Sequence, residues 1–234
     1  MIDFQGYGPR LLEGAWLTLQ LALLSLALAV VLGLLTASAR LSGRALWRIP
    51  ATLYTVIIRG VPDLVLMMLL FYGAQIGFNQ VTDLIYMRWG YDIFINVDPF
   101  AAGVATIGLI FGAYMAETFR GAFLAVDRGQ LEAAAAFGMG PLLIFRRIRF
   151  PLMMRHALPG LGNNWMVLLK TTALVSIIGL SDMVRVAAEA TRATHQPFLF
   201  MLPVAMGYLA ITSVSEIVLR RLEKRYSAGF EELR

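Results

Sequence analysis

The sequence predicts an all-α integral membrane protein with five transmembrane helices, and three observations lead there. Composition is the first: 59% of the 234 residues are hydrophobic, 15% are charged and the mean hydropathy is +0.70. An ordinary soluble domain is about 45–50% apolar and about 25% charged. Spacing is the second, because five stretches reach the ~20 predominantly apolar residues that a bilayer-spanning helix needs. The third is the distribution of Lys and Arg, which collect in alternate connections between those stretches. One buried apolar helix is ordinary in a soluble protein, but five in a chain of this length are not. The chain therefore reads as a single transmembrane domain over 1–234.

The same composition excludes whole classes of chemistry. The chain has no cysteine, which removes disulfides, thiolate metal sites, iron–sulfur clusters and cysteine nucleophiles. His156 and His195 are its only histidines, too few for a histidine metal cluster. No G-x-x-x-x-G-K-[ST] loop occurs, and Gly160-Leu161-Gly162 lacks both a third glycine and a preceding strand. The expectation is no catalytic residue, no metal, no cofactor bound by this chain and no nucleic-acid partner.

The first stretch covers about 11–39 and is cleanest over 21–35 (LALLSLALAVVLGLL). It does not read as a cleaved signal: no basic flank directly precedes the apolar run, the run exceeds a signal core, and no small-residue cleavage pattern follows. The second covers about 50–77 and is interrupted by Arg59-Gly60-Val61-Pro62-Asp63. Gly60 and Pro62 are both poor in a helix interior. A break at that depth is tolerated only inside protein or along a wet cavity. Connection 78–98 carries Asp83, Asp92 and Asp98 with Tyr86, Trp89 and Tyr91, an interfacial aromatic set. The remaining stretches cover about 99–125, 158–180 and 197–219. Proline stands at the start of several of these segments, where its missing N–H costs least. Gly33, Gly103 and Gly121 read as close-packing sites between spans. Asn163 and Asn164 read as hydrogen-bonding groups at the entrance of the fourth.

Orientation follows from the basic residues. Connection 40–48 holds Arg40, Arg44 and Arg48, and connection 120–155 holds Arg120, Arg128, Arg146, Arg147, Arg149 and Arg155. The tail adds Arg220, Arg221, Lys224, Arg225 and Arg234, whereas the opposite side has only Arg10, Arg88, Arg185 and Arg192. The positive-inside rule makes the rich segments cytoplasmic, with the N-terminus outside and the C-terminus inside. An odd number of spans is required, and five satisfies it.

Four charged residues fall inside spans: Arg59, Asp63, Glu117 and Lys170. At ~1.5 Å per helical residue they lie roughly 12–16 Å from the cytoplasmic ends of their segments. Ionisable groups at such depth are costly and are functional or paired. One reading pairs Arg59 with Asp63 at i,i+4 and Glu117 with Arg120 at i,i+3. The other makes all four a binding site for a polar solute. An α-amino acid carries one charge of each sign, and a cationic one adds a positive charge for Asp63 or Glu117 to meet. Glu216, one turn from Arg220, reads as a helix-end pair. An ion-coupled secondary transporter is the alternative, with Asp63 and Glu117 as proton or sodium sites. Against it, five spans are few and no inverted repeat is visible.

Loop 126–151 reads VDRGQLEAAAAFGMGPLLIFRRIRFP. Asp127 and Gln130 fit a capping box, a short helix follows, and Gly138-Met139-Gly140-Pro141 ends it. A basic amphipathic stretch then runs to Pro151, where it is expected to break. Within this elbow, Glu132-Ala133-Ala134, three residues, Gly138, nine residues and Ile148-Arg149-Phe150-Pro151 resemble E-A-A-x3-G-x9-I-x-L-P. That is the coupling loop of permease subunits in binding-protein-dependent ABC importers, here with Phe150 in place of Leu. RGVPDLVLMMLLFYG (59–73), AYMAETFRGAF (113–123) and PGLGNNWMVLLKTTALVSIIGLSD (159–182) are similar to the second-, third- and fourth-span motifs of the polar amino acid permeases. Asp63 replaces a common large apolar residue, which resembles the Q-type subunit of the histidine/lysine/arginine/ornithine branch.

The resemblance implies a heterodimer with a related M-type permease subunit and a periplasmic solute-binding protein docked outside. It implies two cytoplasmic ATPase subunits that bind ATP and Mg, all in the lipid of a bacterial inner membrane. Glu132, Ala133, Ala134, Gly138, Ile148 and Pro151 would carry the coupling to the ATPase, a rigid-body switch biased by ATP.

Overall fold

The computed structural model describes residue 4 and residues 6–227, and every element in it is helical. Arg234, counted above with the basic tail, lies outside the described residues. Helix α1 (Gly8–Leu41) is followed by α2 (Ala45–Gly60), α3 (Asp63–Trp89) and α4 (Pro99–Leu124). The elbow comprises α5 (Arg128–Ala136), α6 (Pro141–Ile144) and a π-helical turn, Phe145–Arg149. The chain then forms α7 (Phe150–Thr171), a 3-10 turn (Thr172–Ser176), α8 (Met183–Thr194) and α9 (Pro197–Ser227). Among the described residues α1, α3, α4 and α9 are long and apolar enough to cross a membrane.

Helix α4 is the centre of the bundle, and its long neighbour α1 lies along it. On α1 the side facing inward is a run of small residues: Thr18, Ala22, Ser25, Ala29, Gly33 and Ala37 are all buried. These recur every three or four positions, so they form one stripe along the helix. Lipid tails are as apolar as leucine, so helices associate in a bilayer through close packing, and small residues permit it. A Cβ on Gly33 would stand 2.8 Å from the Met115 Cβ, and one on Gly108 would stand 2.5 Å from a Leu28 methyl. Gly103 is similarly close to Leu21 and Val175. Gly121, expected to do the same, faces open space, with nothing within 4 Å of its would-be Cβ. Replacing Gly33 by Val is therefore expected to destabilise the folded chain by about 2 kcal/mol through overpacking. Gly121→Ala should be neutral or raise stability by up to about 1 kcal/mol, because alanine is the better helix former. Thermal unfolding of the purified complex in detergent compares the two, and equal midpoints would remove the packing argument.

Three features differ from the sequence expectations. The interruption expected at 59–63 is present, between α2 and α3, but the second of these helices runs well past the expected end at 77. Val61 is extended, with φ −114° and ψ 138°, because the ring of Pro62 excludes the α region for the residue before it. Pro62 then caps α3, which starts at Asp63 and runs through most of the expected connection 78–98, ending at Trp89 on a left-handed Gly90. Pro50 and Pro159 are interior to α2 and α7 instead of opening spans, while Pro99 and Pro197 stand where expected. Pro151 does not break the elbow either. It lies in the first turn of α7, directly after the π turn, whose wider winding suits a position that offers no N–H to the carbonyl four residues back.

At the other end of α7, the helix tightens into the 3-10 turn, and the chain reverses at Gly179, φ +104°, into α8. Asp182 caps α8 by accepting from the Arg185 N–H at 3.0 Å. Its complete burial pushes its carboxyl up to about 6. Helix α8 is bound to α1 where Gly14 meets the backbone of Asp182 and Met183, and by the Arg10–Glu189 ion pair at 3.1 Å.

Candidate functional site

The break between α2 and α3 brings Arg59 and Asp63 beside α4. Glu117, inside α4, is the hub of this region. It accepts from Arg40 at the end of α1, and Arg120 one turn along grips its other oxygen through Nε and Nη2 at 3.0 and 2.9 Å. Arg59 reaches the oxygen shared with Arg40 at 3.5 Å. Arg40 also donates to Thr55 Oγ1 of α2 at 3.0 Å, so α1, α2 and α4 are joined at one point. Glu117 is thus committed to three guanidiniums, and the expected i,i+3 contact with Arg120 is one of them. The members are not equivalent. The Arg40 side chain is 15% exposed and that of Arg59 is 43% exposed. A carboxylate has two oxygens, and Arg59 holds the longest of the contacts. It is the loose member, with donors to spare.

Arg59 is also held from below. Its guanidinium carbon lies 5.6 Å from the Tyr114 ring centroid, within cation–π range. Asp63 itself is half-buried at the first position of α3 and makes no ion pair or side-chain hydrogen bond among the described residues. The i,i+4 pair with Arg59 does not form, because the break at Val61 takes the two residues off a common helix. Arg59, Tyr114 and Glu117 are therefore joined by direct contacts, and Asp63, an anion without an ion pair among the described residues, follows Arg59 across the break. Tyr114 and Arg40 were missed in the sequence. A tyrosine in an apolar span carries no charge signal, and Arg40 read as a loop residue.

Lys170 lies elsewhere. It is exposed on α7 and lines a groove of about 400 Å³ against α9, with Asn163, Thr212, Glu216 and Glu223. Glu216 is engaged by Arg220 at 2.6 Å, the expected helix-end pair. Asn164 ties α7 to α4 through Thr118 Oγ1 at 3.0 Å.

The elbow forms a second candidate region. Asp127 caps α5, its carboxylate accepting from Gly129 N–H at 2.8 Å. Gly138, at φ +80°, turns the chain where an L side chain would be strained. This turn folds α5 back over the following segment. Ala133, Ala134, Ile148 and Pro151 then line one groove of about 570 Å³ with Phe137. Glu132 and Phe137 project outward, Phe137 being 90% exposed.

Long apolar helices joined through small residues, with a part-buried cluster of charged groups between them, define a multi-pass membrane protein. Residues 29–228 match the binding-protein-dependent transport system inner membrane component family, and the chain belongs to it. It is the permease, the non-catalytic inner-membrane component of such a system, and this displaces the ion-coupled alternative. It is 52% identical over 224 residues to the histidine/lysine/arginine/ornithine transport system permease protein HisQ of Salmonella typhimurium, covering 96% of each chain. It is 39% identical over 226 residues to the octopine transport system permease protein OccQ of Rhizobium radiobacter, covering 97% of this chain and 94% of that one. Among solved structures, the crystal structure of an amino acid ABC transporter with histidines has a chain 32% identical, with a TM-score of 0.78. That match covers 96% of this chain and 99% of the other.

Proposed function

We propose that this permease carries cationic amino acids of the histidine, lysine, arginine and ornithine type across the inner membrane. The observation that carries this reading is the unpaired Asp63 carboxylate beside the partly satisfied Arg59 guanidinium. Arg59 meets the α-carboxylate of the solute, and Asp63 meets its side-chain cation. Glu117 acts through Arg59, holding its guanidinium over Tyr114. Lys170, on the α7–α9 groove, is a second contact along the route, where the solute carboxylate leaves Arg59. The names of these relatives, for histidine/lysine/arginine/ornithine and for octopine transport, support this reading. Uptake of labelled arginine and of its neutral isostere citrulline into vesicles bearing the assembled complex tests the assignment. ATP-driven entry of neither solute would overturn it.

The whole of 1–234 acts as one transmembrane domain of five spans, N-terminus outside and C-terminus inside. In this arrangement α2 and α3 cross together as a broken helix, and α7 with its 3-10 turn supplies the fourth crossing. The backbone at Gly60–Pro62 is largely exposed on the isolated chain, so a facing subunit must cover it, as a bilayer demands. A related M-type permease faces this chain, two ATPase subunits holding ATP and Mg bind beneath, and a periplasmic solute-binding protein docks above.

The elbow over 126–151 is the lever between ATPase and permease. Glu132 projects toward the ATPase, and Ala133, Ala134, Ile148 and Pro151 form the groove that keeps α5 rigid against the following segment. Gly138 sets the angle between them. Gly138→Pro replaces a residue at φ +80° with one locked near −65°. It is expected to lose the ATPase on co-purification, and Glu132→Arg is expected to weaken that association at least tenfold. The permease itself should still accumulate in the membrane. Retention of stoichiometric ATPase by both variants would place the coupling elsewhere.

A further inference from the structure

Helix α9 presents two faces of opposite character. One, with Thr212, Glu216 and Glu223, borders the groove that holds Lys170. The other borders a separate groove of about 630 Å³ between α1, α7 and α9. Leu23 and Val30 of α1, Trp165 of α7, and Val214, Val218 and Leu222 of α9 line it. From Ala210 to Leu222 it follows α9 for ~18 Å at ~1.5 Å per residue. One leaflet of the hydrocarbon core is ~15 Å deep.

The apolar face continues into charge. Arg221 follows Val218 by three residues and Val214 by seven, and Arg225 stands likewise to Leu222 and Val218. Residues three, four and seven apart share a helix face. Both arginines are exposed, and neither has an ion pair among the described residues, whereas neighbouring Arg220 is spent on Glu216.

We propose that this groove holds one acyl chain of an anionic phospholipid of the inner leaflet, with the headgroup phosphate on Arg221 and Arg225. The two ends of the site match the two ends of that molecule: an apolar slot as deep as a leaflet, and two unpaired guanidiniums where the slot meets the interface. Basic residues at the cytoplasmic end of a span attract anionic lipid by about 1 kcal/mol each. A neighbouring protein helix is better placed on the adjoining face of α9, because lipid cannot cover Lys170, Glu216 and Glu223 without leaving charges in hydrocarbon. The inference rests on the cytoplasmic placement of the α9 C-terminal end proposed above.

Native mass spectrometry of the complete complex, purified from equimolar phosphatidylglycerol and phosphatidylcholine, reads the site directly. The wild-type chain is expected to retain phosphatidylglycerol at least tenfold over phosphatidylcholine. Replacing Arg221 and Arg225 together by Gln should bring that ratio near one. Val218→Trp, which fills the slot, should cut retention of both lipids at least fivefold, with the intact complex visible in the same spectrum. Should that variant not assemble, the double Gln variant, altered only at exposed positions, still decides. Equal retention of the two lipids by the wild-type complex would overturn the proposal. So would retention unaffected by the variants. Orientation is checked separately, with a membrane-impermeant maleimide on Arg225→Cys in this otherwise cysteine-free chain. Labelling from outside would overturn the inner-leaflet assignment even if the lipid ratio stood.

Discussion

Glu117→Ala is expected to cut the yield of assembled complex at least tenfold. The side chain is the counter-ion for Arg40, Arg59 and Arg120 at once, in the interior of a predominantly apolar helix. Removing one partner of a fully buried ion pair costs about 3–5 kcal/mol, because the charge left behind has lost its water and its neighbour. This cluster is part-buried and costs less, but about 1.4 kcal/mol already amounts to tenfold. Here the loss leaves Arg40, the least exposed of the three, pointing into the bundle with only Thr55 to accept from it. Arg59, more exposed, can turn toward water and suffers less. That asymmetry supplies a second arm. Arg40→Met on the Glu117→Ala background should restore a large part of the yield, because it removes the stranded charge, whereas Arg59→Met should restore little. Yield and unfolding midpoint of the purified complex are the measurements. An alanine variant that assembles and melts like the wild type would show that the hub holds nothing together. Glu117→Gln is the milder case: it keeps a hydrogen-bond acceptor and should lower uptake more than assembly.

The helical character of the chain and most helix positions were legible because they depend on one quantity, the length of apolar runs, which a bilayer forces into the open. The α2–α3 break was legible for the same reason: Gly60 and Pro62 are unusual only because their surroundings are apolar. What the sequence could not supply was pairing between distant segments. Glu117 has Arg120 nearby in the chain, so the local pair was visible, whereas Arg40, 77 positions away, read as a loop cation. The consequence is substantial. A carboxylate for which the sequence left a local pair and a solute contact both open is held by three arginines, one of which meets the solute in the proposed site. Asp63 shows the reverse case. Its apparent local partner, Arg59, is drawn off by Glu117 and Tyr114, so the carboxylate that local spacing would neutralise stays unpaired. Pro151 illustrates a third kind of limit. The rule that proline ends helices applies to α-helical hydrogen bonding, and a π turn before it changes which carbonyl is left over. Gly121 and Gly33 could not be told apart without knowing which face of each helix meets a neighbour.

Asp63→Asn is expected to lower arginine uptake about 10- to 100-fold, while citrulline uptake stays within about twofold of the wild type. The figure follows from the ~1.5–3 kcal/mol that a hydrogen bond to a charged group contributes, at tenfold for every 1.4 kcal/mol. Asparagine keeps the size and one acceptor oxygen of aspartate, so α3 should start as before. The side chain does not cap that helix in the wild-type chain, and no cap is lost. Only the charge changes, and citrulline, matching arginine in shape and lacking its charge, reports on everything else. Each solute is presented on saturating binding protein, so that discrimination upstream of the membrane is held constant. A structural role for Asp63 would slow both solutes alike. A carboxylate that merely steadied Arg59 would do the same, since both solutes bring an identical α-carboxylate to that guanidinium. Selective loss of the charged solute is the outcome that a direct contact alone predicts, and it would place the cation of the substrate at the first turn of α3.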